Sequence, residues 1–156
     1  MKLTDLLNEN LIKIPLEKRE KEEIIGELID ILVANDLVNN RDVIFKAVME
    51  REKVMSTGVG DGVAIPHGKA DGITDVVAAF GISKEEIDFQ SIDERPVHLV
   101  FLLVASPDAT GPHLKALSRV SRLLNKQEFR EKLIQVNSAA EVMDLIRDEE
   151  KIYFEI

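Results

Sequence analysis

The sequence contains no cysteine, no tryptophan and no long hydrophobic run. Without cysteine the chain cannot form a disulfide scaffold, a cysteine zinc site, an iron–sulfur cluster or a thiol nucleophile. The longest nearly apolar stretch, Val97–Ala105, is interrupted by His98 and is far shorter than the roughly 20 residues that a membrane-spanning helix needs. The first residues mix charged with apolar side chains and lack the hydrophobic segment of a signal peptide. We therefore expect a cytoplasmic protein without direct membrane insertion.

Basic residues are in the minority and do not cluster. The net charge is −9 and the isoelectric point is near 4.9, and no run of lysine or arginine could follow a phosphate backbone. We therefore expect no nucleic acid partner. The 156 residues contain no internal repeat and no linker rich in glycine, serine or proline, which predicts a single domain over residues 1–156.

Hydrophobic periodicity divides the chain into helical, strand-forming and again helical regions. Helices are predicted within residues 17–34, from a cap at Asn39 or Asn40 to a point before Gly58, and over 112–125, 128–136 and 138–148. Strands are predicted over 59–65, 76–82, 97–104 and, at the end of the chain, 152–156. Because two of the strands are almost entirely apolar, both faces of the sheet should be covered. This predicts an α/β fold of three layers, α/β/α, with a central mixed sheet flanked by helices.

His67 is the first candidate for proton or group transfer. Three alternating glycines precede it: Gly58, Gly60 and Gly62. Pro66 restricts the backbone before the histidine, and Gly68 leaves space beside the imidazole. The pattern predicts a ring that is held rigidly at the end of a strand and directed outward. The alternative is a turn that merely contains a polar residue, and the local sequence leaves both interpretations open.

Arg51 and His113 are the second and third candidates. Helical spacing places Arg51 on one stripe with Ile44, Ala47, Val48 and Met55. A guanidinium directed at the core either pairs with a carboxylate, such as that of Asp61, Asp75 or Asp93, or binds an anion such as phosphate.

The sequence Thr110, Gly111, Pro112 predicts a helix start with His113 in its first turn, where an anion is favoured and a neutral imidazole is expected. A simple packing role is the alternative for His113.

Other motifs are incomplete. The three glycines do not have the spacing of a nucleotide-binding loop, and the histidines are too far apart in the chain for a local metal-binding motif. A hydrolase triad of Ser56, His67 and Asp61 lacks the Gly-x-Ser-x-Gly sequence. His98 lies within a predicted strand and is interpreted as structural.

A longer pattern around His67 matches a known family. Its positions are occupied by Glu52, Val59, Gly60, Val63, Ala64, Ile65, Pro66, His67 and Gly68, and the matching segments also include Arg51, residues 56–58 and residues 113–117. The chain resembles the enzyme IIA domains of the fructose, mannitol and nitrogen type from the bacterial phosphoenolpyruvate-dependent phosphotransferase system. The resemblance covers nearly the whole chain, and it implies a mixed sheet between helices.

The resemblance also implies roles for the candidate residues. His67 would carry the phosphoryl group on Nε2, His113 would be the second active-site histidine, and Arg51 would be the nearby arginine. Ser56, Thr57 and Gly58 would form a turn that stabilises the phosphoryl group. No metal and no cofactor is implied. The implied donor is the histidine-containing phosphocarrier protein (HPr), and the implied acceptor is a cysteine of enzyme IIB.

The nitrogen-type branch of the same family provides the alternative function. In that case phosphorylation of His67 would control binding to regulatory protein partners instead of supplying sugar uptake. The same site residues would serve both functions, so the sequence leaves the two alternatives open.

Overall fold

The computed structural model describes residues 2–154, with side chains as far as Ile152. The helices are α1 (Leu3–Leu6), α2 (Lys21–Ala34), α3 (Arg41–Val54), α4 (Thr110–Leu124), α5 (Gln127–Gln135) and α6 (Ala139–Phe154). The strands are β1 (Ile12–Lys13), β2 (Gly58–Gly60), β3 (Val63–Ala64), β4 (His67–Lys69), β5 (Val76–Ile87) and β6 (Val97–Ala105). A 3-10 turn, Glu9–Leu11, precedes β1. None of the helices in this described part of the chain is long and apolar enough to cross a bilayer.

The strands form one mixed sheet in the order β1-β5-β6-β3-β2, and β4 pairs with β6 beyond the end of β3. Strands β5 and β6 are antiparallel, whereas β1 is parallel to β5, and β3 and β4 are parallel to β6. Helices α2 and α3 pack against each other and against the sheet, and α4 and α5 pack against β5 and β6 as a second group. The predicted mixed sheet flanked by helices is thus confirmed.

The two long strands form the centre of the core. Every side chain of β6 except His98 is buried, and Phe80 of β5 packs on Phe101 of β6 with 5.1 Å between ring centroids. The apolar runs in the sequence therefore have the expected cause, because helices exclude water from both faces of these strands. Strand β5 continues to Ile87, beyond the predicted end at residue 82.

Helix boundaries agree closely with the predicted ones at two caps. The Asn40 side chain accepts a hydrogen bond from the Val43 backbone N–H at 3.3 Å, so Asn40 is the cap of α3. The Ser138 hydroxyl accepts from the Glu141 N–H at 3.2 Å and donates to the Glu141 carboxylate at 3.1 Å. These local side-chain contacts replace the hydrogen bonds that the first turn of a helix lacks.

The strand predicted over residues 152–156 is wrong as far as the structure describes it. Residues 152–154 continue α6, and residues 155 and 156 lie outside the described part of the chain. Glu150 joins this end of α6 to α1, because its buried carboxylate accepts the backbone N–H of Leu3 at 2.7 Å and of Thr4 at 3.1 Å. The carboxylate thereby satisfies free N–H groups at the start of α1, a contact that no local pattern in the sequence indicates.

Replacing Glu150 with alanine is expected to lower the free energy of unfolding by about 2–4 kcal/mol, because two amide groups lose their buried acceptor. Urea unfolding followed by circular dichroism measures the change. The matched control is Asp148→Ala on the exposed face of the same helix, which is expected to change stability by less than about 0.5 kcal/mol. Equal effects of the two substitutions would contradict the role of Glu150.

The segment that carries His67 interrupts the pairing along β6. Strand β3 ends at Ala64, and β4 starts at His67, so His67 begins a strand and does not end one as the sequence predicted. Between the strands, Pro66 has no N–H to donate. Gly68 has a packing role that the sequence did not indicate, since a Cβ there would lie 3.2 Å from the Ala47 carbonyl carbon and from the Val48 nitrogen, which is an unusually close contact. The absent side chain lets α3 pack closely on β4.

Candidate functional site

The His67 ring is fixed by a local hydrogen bond. Its Nδ1 atom lies 2.8 Å from the carbonyl oxygen of Ile65, two residues earlier. A carbonyl oxygen can only accept a hydrogen bond, so Nδ1 carries the proton and Nε2 of the neutral ring keeps its lone pair. The interruption at Pro66 turns the Ile65 carbonyl towards the ring instead of towards a ladder partner. The half-buried imidazole therefore has a defined tautomer, with the Nε2 lone pair available to react.

The surroundings of His67 keep the ring neutral. Burial is the largest cause that lowers the pKa of His67 below 6.5, and the positive charge of Arg51 lowers it further. The hydrogen bond to Ile65 and the negative charge of Glu52 act in the opposite direction. Because the net shift is downward, the Nε2 lone pair is available at neutral pH.

His113 lies in the first turn of α4, as expected from the helix start, and its ring is beside that of His67. The two ring centroids are 5.6 Å apart, with an angle of 71° between the ring planes. His113 is 4% exposed in the first turn of α4, and its Nε2 atom is buried without a hydrogen-bond partner in the described part of the chain. Burial, together with the charges of His67 and Lys69, lowers the pKa of His113 from 6.5 to about 4. The neutral ring thus has a buried polar atom that no protein group satisfies.

The free energy of unfolding is expected to fall by about 2 kcal/mol more in the wild type than in a His113→Gln variant when the pH is lowered from about 7 to about 5. In the unfolded chain the ring takes up a proton near its ordinary pKa of 6.5, whereas the folded ring resists protonation down to a pKa of about 4. Stability that is fully present above pH 6.5 is therefore lost as the pH falls towards 4. Urea unfolding at both pH values measures the difference, and identical pH dependence of the two proteins would contradict it.

Arg51 is not a core residue, although its position on a stripe of apolar residues predicted that its side chain is directed at the core. Its side chain is half-buried, and Met55 of the same stripe is 60% exposed, because α3 ends at Val54. The guanidinium Nη1 donates to the Met55 carbonyl at 2.8 Å. Among residues 2–154, no carboxylate forms an ion pair with Arg51, and this includes the three aspartates proposed as partners. Most of the guanidinium N–H groups are therefore available to bind an anion from outside the protein.

The turn at residues 56–58 contacts the segment before His67, because the Thr57 carbonyl accepts the Ile65 N–H at 3.0 Å. The hydroxyl groups of Ser56 and Thr57 both donate hydrogen bonds within the protein. The Ser56 hydroxyl donates to the Phe89 carbonyl at 2.9 Å and accepts from the Gly58 N–H at 3.1 Å. The Thr57 hydroxyl and N–H both donate to the Glu52 carboxylate, at 2.6 and 2.9 Å. The direct contact of these groups with a phosphoryl group stays a prediction, whereas their contribution to the shape of the turn is evident from the hydrogen bonds.

Two basic residues near the site were not identified from the sequence. Lys69 stands two residues after His67 on β4, donates to the Thr110 hydroxyl at 2.8 Å, and lowers the pKa of His113. The two-residue period of a strand could have indicated it. Lys21 forms an ion pair with Glu52 at 2.9 Å, but the two residues are far apart in the chain and no pattern connects them.

The remaining histidine, His98, binds the Ser83 carbonyl through Nδ1 at 3.0 Å, which agrees with a structural role.

The fold and the site together define a three-layer α/β protein in which two neutral imidazoles and a half-buried arginine are brought together beside a mixed sheet. The family described as "Phosphoenolpyruvate-dependent sugar phosphotransferase system, EIIA 2" matches residues 5–149, and the chain belongs to this family. The resemblance inferred from the motif around His67 is therefore confirmed.

Similar proteins come from both branches of the family. The chain is 40% identical over 151 residues to the fructose-specific EIIABC component of Bacillus subtilis, matching 97% of this chain but only 24% of the relative's length. It is 40% identical over 134 residues to a nitrogen regulatory protein of Bradyrhizobium diazoefficiens, matching 85% of this chain and 86% of that protein.

Solved structures show the same fold. Nitrogen regulatory protein IIA-Ntr of Neisseria meningitidis superposes with a TM-score of 0.86 at 33% identity, covering 92% of this chain and 98% of that one. The enzyme IIA of mannitol from Escherichia coli, solved in complex with phosphorylated enzyme IIB, superposes with a TM-score of 0.79 at 23% identity, covering 91% of this chain and 97% of that one.

Proposed function

We propose that the chain is a phosphocarrier that accepts a phosphoryl group on Nε2 of His67 from phosphorylated HPr and passes it to a cysteine of enzyme IIB in fructose- or mannitol-type sugar uptake. The observation that supports this most directly is the hydrogen bond from His67 Nδ1 to the Ile65 carbonyl. It leaves Nε2 as the nucleophilic atom of a neutral ring, next to an arginine without a carboxylate partner in the described chain and an unsatisfied His113.

The proposed transfer needs no bound metal. The Nε2 lone pair forms a bond to phosphorus while the phosphorus–nitrogen bond of the donor breaks and its electron pair returns to the donor's imidazole. In the second step a thiolate of enzyme IIB takes the phosphoryl group, and the electron pair of the broken bond returns to Nε2 of His67. The His67 proton stays on Nδ1 in both steps, because the Ile65 carbonyl holds it there.

Arg51 and His113 fit the charge that develops during transfer. Phosphoryl transfer passes through a loose transition state in which three equatorial oxygens carry the charge, so donors aimed at these oxygens lower the barrier. The free N–H groups of Arg51 can serve this purpose. For His113, a phosphoryl oxygen would supply the partner that its buried Nε2 lacks. A phosphoryl group on His67 would also raise the pKa of His113 by its negative charge.

Exposed apolar side chains near the site suit a protein partner. Leu114 is 62% exposed directly after His113, and Met55 is 60% exposed beside the Arg51 guanidinium. Both side chains are available for contact with a protein partner. The mannitol relative was solved as a complex with enzyme IIB, which supports enzyme IIB as the acceptor here.

The second candidate function is that of a nitrogen-type regulator, in which the phosphorylation state of His67 controls binding to partner proteins. Its support is the similarity over most of their length to proteins named nitrogen regulatory protein. The chemistry of acceptance is the same in both cases, and only the acceptor differs.

The test is the intact mass of the wild-type chain after incubation with phosphoenolpyruvate, enzyme I and HPr. We expect a gain of one acid-labile phosphoryl group. The phosphorylated protein is then mixed with a fructose-type enzyme IIB, and transfer to the IIB cysteine supports the transport function. Phosphorylation that is stable in the presence of enzyme IIB would favour the regulatory function, and no mass gain would contradict both.

A further inference from the structure

Glu52 has a buried carboxylate next to the site, and both of its carboxylate oxygens have hydrogen-bond or ion-pair partners. It is 4% exposed at the end of α3 and accepts the N–H and the hydroxyl of Thr57. Its third partner is the ammonium group of Lys21, 2.9 Å away on α2. An ionised carboxylate at such a position is stable only when it is paired and hydrogen-bonded, so Lys21 supplies the charge that Glu52 requires.

Hydrogen bonds connect this ion pair to the His67 ring. Glu52 holds the backbone and side chain of Thr57, and the Thr57 carbonyl accepts the N–H of Ile65 at 3.0 Å. The carbonyl of the same Ile65 residue accepts Nδ1–H of His67 at 2.8 Å. The backbone of Ile65 is therefore held between Thr57 and the imidazole, and the position of Thr57 depends on the Glu52 carboxylate.

Lys21 is itself held in place. Its side chain is 13% exposed, and its ammonium group lies 5.1 Å from the centre of the Phe89 ring. The Phe89 carbonyl in turn accepts the Ser56 hydroxyl at 2.9 Å. Lys21 thus contacts two residues that both bind the turn at Ser56 and Thr57. A mobile surface lysine would not have this arrangement.

We propose that Lys21, acting through Glu52, is a positioning residue that holds the Thr57–Ile65 contact and thereby the orientation and tautomer of the His67 imidazole. The step that depends on it is phosphoryl acceptance, so the functional consequence of this inference is based on the proposed function. The geometric consequence, a single tautomer with the proton on Nδ1, is independent of any phosphoryl donor.

The test compares Lys21→Met, Lys21→Arg and the control Lys18→Met in the full chain. Lys18 is exposed and lies three residues away, so its replacement removes the same charge without touching Glu52. Ring nitrogen chemical shifts of His67 report the tautomer, and the rate of phosphoryl acceptance from HPr reports the function. We expect Lys21→Met to give a mixture of tautomers and an acceptance rate on the order of tenfold lower, because misplacement of a reacting group reduces the rate. Lys21→Arg restores both, since a guanidinium can also pair with Glu52.

A double-mutant cycle separates this role from general stability. In a Glu52→Gln background the carboxylate is absent, so adding Lys21→Met should change neither the tautomer nor the rate further. Independent effects that multiply in the double variant would overturn the proposal, as would unchanged His67 shifts in Lys21→Met. The Lys21→Met variant could fail to fold because it leaves the buried Glu52 charge unpaired. In that case the double variant Lys21→Met/Glu52→Gln, which contains no unpaired buried charge, is compared with Glu52→Gln by the same two measurements. A wild type that accepts no phosphoryl group would contradict the proposed function, while the nitrogen shifts would still decide the role of Lys21.

Discussion

A His67→Ala variant is expected to show no gain of a phosphoryl group under conditions in which the wild type is fully phosphorylated. The reason is chemical, because the Nε2 lone pair that forms the bond to phosphorus is removed and no neighbouring group replaces it. We do not expect His113 to replace it, because an Nε2 atom that donates a hydrogen bond to a phosphoryl oxygen carries a proton and has no free lone pair. Intact mass spectrometry at neutral pH, where the phosphoramidate survives, measures the outcome.

The control for this experiment is His98→Gln, which removes an imidazole whose Nδ1 atom bonds to the Ser83 carbonyl. This variant is expected to accept the phosphoryl group at a rate close to that of the wild type. Phosphorylation of His67→Ala at the wild-type level would show that another residue is the acceptor. Loss of phosphorylation in both variants would indicate that the fold, and not the His67 nucleophile, had been affected.

A His113→Ala variant is expected to accept the phosphoryl group on His67 but at a rate reduced on the order of 10²-fold to 10³-fold, as for the loss of one donor that stabilises a developing charge. The nucleophile and its hydrogen bond to Ile65 remain intact in this variant. Rapid-quench measurements with phosphorylated HPr give the rate, and the end point of phosphorylation should approach that of the wild type.

A second variant distinguishes the loss of the donor from the loss of packing. His113 is 4% exposed, so alanine also leaves a cavity. His113→Gln fills more of the space and offers an amide N–H, and it is therefore expected to recover part of the rate. Complete loss of acceptance in both variants, with folding intact, would show that His113 acts in the same way as His67 and would overturn the assigned roles.

The parts of the site that could be predicted from the sequence depend on short-range geometry. Pro66 and the bond from His67 to Ile65 involve residues at most two positions apart, so the motif around His67 contains most of what orients the ring. The caps at Asn40 and Ser138 are equally local. For the same reason, the apolar runs of β5 and β6 sufficed to predict a sheet covered on both faces.

Other features depend on contacts between distant segments. The strand predicted over residues 152–156 was wrong for residues 152–154, which continue α6, and the contact of Glu150 with the start of α1 joins this helix to a distant segment. Arg51 was predicted in the core because helical spacing gives a direction but not the neighbours in that direction. The structure shows that α3 ends close behind it, so its side chain lies at the edge of the core.

The sequence by itself determined the family and the layered fold and singled out His67 as the proposed nucleophile, because each of these is contained in contiguous residues or in the period of the apolar side chains. Only the tertiary structure decided which charges face the site. The 5.6 Å separation of His67 and His113 and the pair of Lys21 with Glu52 join different elements of the fold. Burial then sets the protonation state of both imidazoles, since desolvation is the largest cause of their lowered pKa values and exists only once the chain has folded.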